Sequence, residues 1–374
     1  MLQRALSLVA CLATTAALSA SSVARSTTPL TKSALPQLAR MTVLSIDTAD
    51  ISQIAEFVAS SGDAITDATT NPAFVSKMGQ SGKEPYKSMV ESSLAYAKGD
   101  VALAMDKLAV TLGVEISKLV PGYVSTEVDP RLSFDTAATL ARARRIIALY
   151  AEEGVPKERV LIKIGATWEG IAAAELLEKE GIRCNLTLVF GMAQAVACAQ
   201  RGATLISPFV GRIHEWALPE SVDYHAKEEI GPWDPKADTG IVAVKKMQRH
   251  YKNNGYDTIC MPASWRPTSG EGWKKILVLA GVDRMTIPPA LLEGLADNEA
   301  DVVSYIGTAD DVEEDAEWAN IGTLSENDFR LKMNEDECTT VKLAEGLRQF
   351  IGFTDELEAA MRDAAGGEGH ARAR

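Results

Sequence analysis

Eight short β-branched runs, each followed by a longer stretch of helical period, constrain this chain more than any other feature. The runs are TVLSID (42–47), AITDA (64–68), GYVSTEV (122–128), VLIKIGA (160–166), CNLTLV (184–189), TLISPFV (204–210), TICMPAS (258–264) and RMTIPPA (284–290). Intervening segments such as ISQIAEFVAS, residues 135–152, WEGIAAAELLEKEG, MAQAVACAQRG and KADTGIVAVKKMQRHYKNNG have helical spacing, and several end at Gly. Neighbouring parallel strands need a crossover long enough for a helix, so this alternation calls for βα units. Eight of them predict an α/β chain closed into a (β/α)8 TIM-type barrel. Two longer insertions, 72–121 and 211–235, predict extra helices or loops, and the segment after Pro289 predicts a C-terminal helical cover. A doubly wound open sheet is the alternative. It is disfavoured because nothing like GxGxxG follows the first run, where a dinucleotide fold would need it.

At 46% hydrophobic and 24% charged residues, the chain can bury a substantial core. The formal net charge of −13 understates the acidity of the body, because the first 40 residues carry Arg4, Arg25, Lys32 and Arg40 and no acid. Without them, 34 basic residues face 51 acidic ones, a balance of −17. Such a surface repels polyanions, so neither nucleic acid nor an anionic membrane is an expected partner. Any phosphate must be held by a few local cations.

The acid-free start combines an early Arg, an apolar stretch near Leu6–Leu18, small residues, and then a Ser/Thr/Pro stretch with basic residues. It is too short to span a membrane and reads as a targeting leader over residues 1–40. Its order, a secretory-like front and a transit-like second half, suggests a plastid. A mitochondrial or secretory leader, or a cytoplasmic protein, is the alternative. The expected body is 41–362, followed by a disordered tail at 363–374 that contains GGEGHARAR. Five cysteines without a CxxC pair and four histidines without HxxxH spacing predict neither a disulfide framework nor a metal site.

Lys163 stands between Ile162 and Ile164 in VLIKIGA. Alternation puts Leu161, Lys163 and Gly165 on one face and the isoleucines on the other. With the isoleucines under the helices, the lysine points into the barrel, and Gly165 leaves room beside it. A strand-end lysine reaching water is the competing reading. An inward lysine loses hydration, which disfavours the ammonium form and frees a neutral amine to attack a carbonyl. That is Schiff-base chemistry.

Other polar residues fall at the C-terminal ends of the runs, the face on which barrel enzymes build their sites. They are Asp47, Thr70, Asn71, Glu127, Asn185, Thr187, Ser207, Ser264 and Arg266. Each has a structural explanation of its own. Asp47 could cap the helix near Ile51, Glu127 could pair with Arg131, and Ser207 could merely precede Pro208. Their joint occurrence on one rim around an inward lysine favours a catalytic site.

At these residues the chain resembles transaldolases of the long type. The resemblance runs through TDATTNP (66–72), VSTEVDPRLSFDT (124–136), VLIKIGATWEGI (160–171), GIRCNLTLVFGMAQAVACAQRGATLISPFVGRI (181–213) and ASWRPTSGE (263–271). It continues more weakly through RMTIPPALLEGL and KLAEGLRQF. The resemblance implies Lys163 as the Schiff-base nucleophile, and Glu127 as the acid/base that works through a water held by Thr187. Asp47 would take the hydroxyl proton whose loss breaks a carbon–carbon bond. Asn71, Asn185 and Ser207 would hold the dihydroxyacetone unit, Phe209 would line the pocket, and Arg212, Ser264 and Arg266 would bind phosphate. Sugar phosphates are the implied substrates, and no cofactor is implied. The family often dimerises, so a homodimer is among the expected assemblies. Two rivals are an aldolase that releases free dihydroxyacetone and a silent sugar-phosphate binding protein. The latter would have no use for Lys163, Glu127 and Asp47 together.

Overall fold

The computed structural model describes residues 33–218, 234–266, 272–308 and 311–371, the last five by backbone alone. Every expected run contains a strand: β1 (Val43–Asp47), β2 (Ile65–Thr69), β3 (Val124–Glu127), β4 (Val160–Gly165), β5 (Cys184–Val189), β6 (Leu205–Pro208), β7 (Ile259–Cys260) and β8 (Arg284–Ile287). All pairings are parallel and run in the order β7-β6-β5-β4-β3-β2-β1-β8. The ring closes through Thr286, whose N–H donates to Pro262 O at 3.1 Å. Pro262 has no N–H to give on that side, whereas the ladder to β6 runs unbroken through Ile259 N–H to Thr204 O at 2.9 Å, Met261 N–H to Ile206 O at 2.9 Å and Ala263 N–H to Pro208 O at 2.8 Å. The expected eighth run to residue 290 ends at Ile287, because Pro289 opens a helix, Pro289–Asp297. The architecture is a (β/α)8 barrel.

The alternation in β4 holds. Ile162 and Ile164 join the main core, while Leu161 packs with Leu205 and Met261 in a separate small cluster. The first insertion supplies helices Pro72–Gly79, Tyr86–Ala97 and Val101–Leu119. The second supplies Val210–Ala217, and residues 219–233 lie outside the described part. The helices after β1, β2 and β4 start at side-chain caps that satisfy otherwise orphaned N–H groups. Asp50 accepts from Ser52 and Gln53, Asn71 from Phe74, and Thr167 from Gly170.

The C-terminal cover is dominated by one helix, Glu337–Ala371. Its Leu343, Leu347 and Phe350 enter the main core, whereas Leu357 and Met361 join Met78, Met89, Leu108 and Leu112 in a second cluster. The helical backbone runs on through Gly366 to Ala371, within the expected tail. Residues 1–32 lie outside the described part, but Ala34–Leu38 is a helix with Leu35 and Leu38 buried. Ser33 Oγ donates to Ala296 O at 2.8 Å. Leu35 and Leu38 sit three apart on one helix face, an apolar stripe that composition alone assigned to the leader. Among the described residues, no helix is long and apolar enough to cross a membrane.

Candidate active site

Strand register brings the reactive residues together. Glu127, Lys163 and Asn185 are lateral partners on β3, β4 and β5, so all three occupy one layer of the barrel. Lys163 is 5% exposed, which removes the reading of a strand-end lysine in water. Its Nζ donates to Thr70 O at 3.2 Å and stands 3.8 Å from Glu127 Oε2. Among the described residues, that carboxylate oxygen has no hydrogen-bond partner. Burial, only partly opposed by the Lys163 charge, pushes the Glu127 carboxyl up to about 7. Glu127 is thus poised to exchange a proton near neutrality. It does not pair with Arg131, which instead binds Asp129, Asp355 and Glu358.

Asp47 closes β1 without capping the next helix, a task that falls to Asp50. Its Oδ1 accepts from Thr69 Oγ1 at 2.7 Å, and that hydroxyl lies 2.6 Å from Thr286 Oγ1. Burial raises the Asp47 carboxyl above its ordinary range, while the charges of Lys163 and Arg266 and the Thr69 hydroxyl oppose the rise. Asp47 and Lys163 therefore feel one another across the barrel mouth.

Thr187 lies one layer up, beside Gly165, and its buried Oγ1 has no partner among the described residues. The orphan Thr187 hydroxyl and the orphan Glu127 oxygen belong to the two strands that flank Lys163. Asn185 donates to Ser125 Oγ at 3.3 Å and accepts from Ser207 Oγ at 2.7 Å. Asn71 is committed to its helix, where its Oδ1 accepts from Phe74 N–H at 3.1 Å. The Phe209 ring meets Phe190 edge-on, with centroids 5.5 Å apart. The room expected beside Gly165 is not open, since a Cβ there would stand 3.3 Å from Leu347 Cδ2 on the covering helix.

Two guanidinium groups complete the rim. Arg212 is buried, faces the Phe190 ring and pairs with Glu345 at 3.4 Å. Arg266 lies against Gly211, where a Cβ would come within 2.5 Å of its Cγ, and its charge repels that of Arg212. Ser264, two residues before Arg266, adopts a left-handed φ of 55°, a strained conformation typical of functional rims.

Residues 44–361 match the transaldolase/fructose-6-phosphate aldolase family. The chain belongs to that family. It is 44% identical over 336 residues to a transaldolase of Alteromonas mediterranea, covering 88% of this chain and 98% of the relative. A transaldolase of Marinobacter nauticus is 46% identical over 341 residues, 89% of this chain and 98% of its own. A probable transaldolase of Drosophila melanogaster is 44% identical, with 87% and 94% covered. The chain is therefore a transferase of the transaldolase kind.

Several residues that contact the candidate site of this transaldolase escaped sequence reasoning. Thr69 and Thr286 anchor Asp47, Ser125 anchors Asn185, and Glu345 pairs with Arg212. Gln194 stitches the ends of β4 and β5 by donating to Ala166 O and Leu188 O and accepting from Phe190 N–H. Period-2 alternation could have marked Ser125 and Thr69 as inward-facing. Nothing local marks Glu345, whose partner is far away in the chain.

Proposed function

We propose that this enzyme moves a dihydroxyacetone unit from sedoheptulose 7-phosphate to glyceraldehyde 3-phosphate, yielding erythrose 4-phosphate and fructose 6-phosphate, as in the non-oxidative pentose phosphate pathway. The observation that carries this reading is the buried layer of Lys163, Glu127 and Asn185 beneath the orphan Thr187 hydroxyl. Lys163 Nζ attacks the ketose carbonyl carbon. Glu127, through a water shared with Thr187, supplies the proton that carries the carbinolamine oxygen away as water, leaving an iminium. Asp47 then takes the proton from the hydroxyl on the far carbon of the bond to be broken. That bond's electrons flow into the iminium, the first aldehyde leaves, and a lysine-bound enamine remains. The enamine attacks the second aldehyde, the Asp47 proton goes to the new alkoxide, and hydrolysis frees Lys163. Asn185, Ser207 and Asn71 would hold the dihydroxyacetone hydroxyls, and Phe209 lines the pocket. Arg212, Ser264 and Arg266 would bind the phosphate.

Borohydride added with fructose 6-phosphate should inactivate the enzyme irreversibly, because hydride adds to the iminium carbon and leaves a stable secondary amine. Peptide mapping should place that adduct on Lys163, and Lys163→Arg should fold yet lose trapping and transfer together. A Lys163→Arg protein that still transferred would sink the mechanism. Free dihydroxyacetone as the main product would instead make the enzyme an aldolase.

We also propose that the acid-free N-terminal segment directs the chain to a plastid. The docking of Ser33 and the helix Ala34–Leu38 supports removal upstream of Ser33. A fluorescent fusion of residues 1–32 should enter the plastid, and delivery to mitochondria or the medium would overturn the proposal.

A further inference from the structure

The segment KLAEGLRQF (342–350) belongs to the helix that crosses the barrel mouth, and the mechanism above leaves it without a task. Two of its residues approach Arg212, and a third pairs with one of them. Glu345 Oε2 lies 3.4 Å from Arg212 Nη2 and 3.0 Å from Lys342 Nζ, bridging the two cations. Lys342 also faces the ring of Trp216, on the same short helix as Arg212, at 5.9 Å. Gly346 is required by the approach itself, since a Cβ there would stand 2.7 Å from Leu188 Cδ2 and 3.3 Å from Arg212 Nη1. The helix thus carries a cation, an anion and a gap to the expected phosphate site.

We propose that Glu345 and Lys342 are specificity-determining residues of that phosphate site, with Glu345 acting as an internal counter-anion that a phosphate must compete with for Arg212. The inference rests on the assignment of phosphate binding to Arg212 and Arg266. Charge balance gives it content. Arg212, Arg266 and Lys342 bring three positive charges, against which Glu345 in direct contact and Glu215 on the helix of Arg212 set negative charge. The opposing charge also limits retention, because a rim without it would hold phosphorylated products longer. In the free enzyme the arrangement keeps Arg212 tolerable in its buried place. Burial holds this guanidinium below its ordinary range, the Glu345 charge pulls it back up, and the Arg266 charge depresses it further.

The sign of one substitution tests the proposal. Inorganic phosphate is used as a competitive inhibitor of the full-length enzyme with fructose 6-phosphate as donor. Glu345→Gln, which keeps the shape and deletes the charge, should make phosphate inhibit at a concentration roughly threefold lower or less, as expected for loss of a partly exposed competing ion. Its inhibition should also weaken more steeply with added salt. Lys342→Gln should shift inhibition the other way, and Glu345→Asp should return it towards the parent value. A residue that merely braced Arg212 would give weaker phosphate binding in Glu345→Gln. Weaker or unchanged inhibition in Glu345→Gln, with clear loss in Arg212→Gln, overturns this inference alone. Unchanged inhibition in Arg212→Gln overturns the phosphate assignment and the inference with it.

Discussion

Burial without a partner gives Glu127 and Thr187 their chemical meaning. The Glu127 carboxyl titrates at about 7 in the folded protein and near its ordinary 4.5 when unfolded, so the folded state takes up the proton first as pH falls. The contribution of Glu127 to stability should therefore rise as pH drops from about 7 towards 4.5, and fall as pH climbs through the folded value. The raised Asp47 carboxyl acts in the same direction. Denaturation of the parent and Glu127→Gln across that window should show a smaller pH slope in the variant, and equal slopes would contradict the assignment. The pH profile of kcat/KM should carry a limb near 7 that Glu127→Gln abolishes. Thr187→Val replaces an orphan hydroxyl by a methyl of similar size. It should slow Schiff-base formation by about 100-fold while leaving stability unchanged or raised by up to about 1 kcal/mol. A stopped-flow rate equal to that of the parent would remove Thr187 from the proton path.

Packing between elements overrides local propensity at Gly113, inside the helix Val101–Leu119. On an isolated helix, Gly→Ala would stabilise by roughly 0.5–1 kcal/mol. Here the added methyl would overlap the hydroxyl end of Tyr150, which lies 2.5 Å from Thr126 Oγ1 on β3. Gly113→Ala should therefore destabilise by about 1–3 kcal/mol, since overpacking against a fixed, buried ring outweighs the propensity gain. A higher melting temperature in the variant would show that the ring yields. The same contact ties the outward Thr126 of β3 to Tyr150, while Glu127 on the inward face pairs in register with Lys163 through the strand ladder.

For the whole molecule, the C-terminal helix is both part of the core and the covering of the site. Arg131, in the loop after β3, holds it through Asp355 at 3.1 Å and Glu358 at 2.5 Å, and is itself fixed by Asp129 at 2.7 Å. Residues from Arg362 to Gly366 are exposed, so truncation after Arg362 should change stability by less than about 0.5 kcal/mol in chemical denaturation. Truncation after Thr354 also removes the buried Leu357 and Met361 and both acidic partners of Arg131 on this helix. It should cost on the order of 4 kcal/mol or more. Equal stabilities for the two truncations would refute the docking of this helix end.

The barrel was legible because a backbone that must pair laterally and bury both faces writes its period directly into the sequence. Eight β-branched runs could close in few ways, and a lysine between two isoleucines could point only one way once those isoleucines lay under helices. Local pattern also placed Asp47 and Glu127 at strand ends and Thr187 within the fifth run. Of their structural alternatives, capping by Asp47 failed to a local contact, the Asp50 cap, whereas pairing of Glu127 with Arg131 failed to a tertiary one, the turn of Arg131 to the C-terminal helix. The ends were read less well. Leu35 and Leu38 look like leader until the barrel offers them a surface, and the space beside Gly165 looks open until Leu347 fills it. The pairing of Glu345 with Arg212 had no signal at all, because contacts between residues so far apart in sequence exist only after the chain has folded.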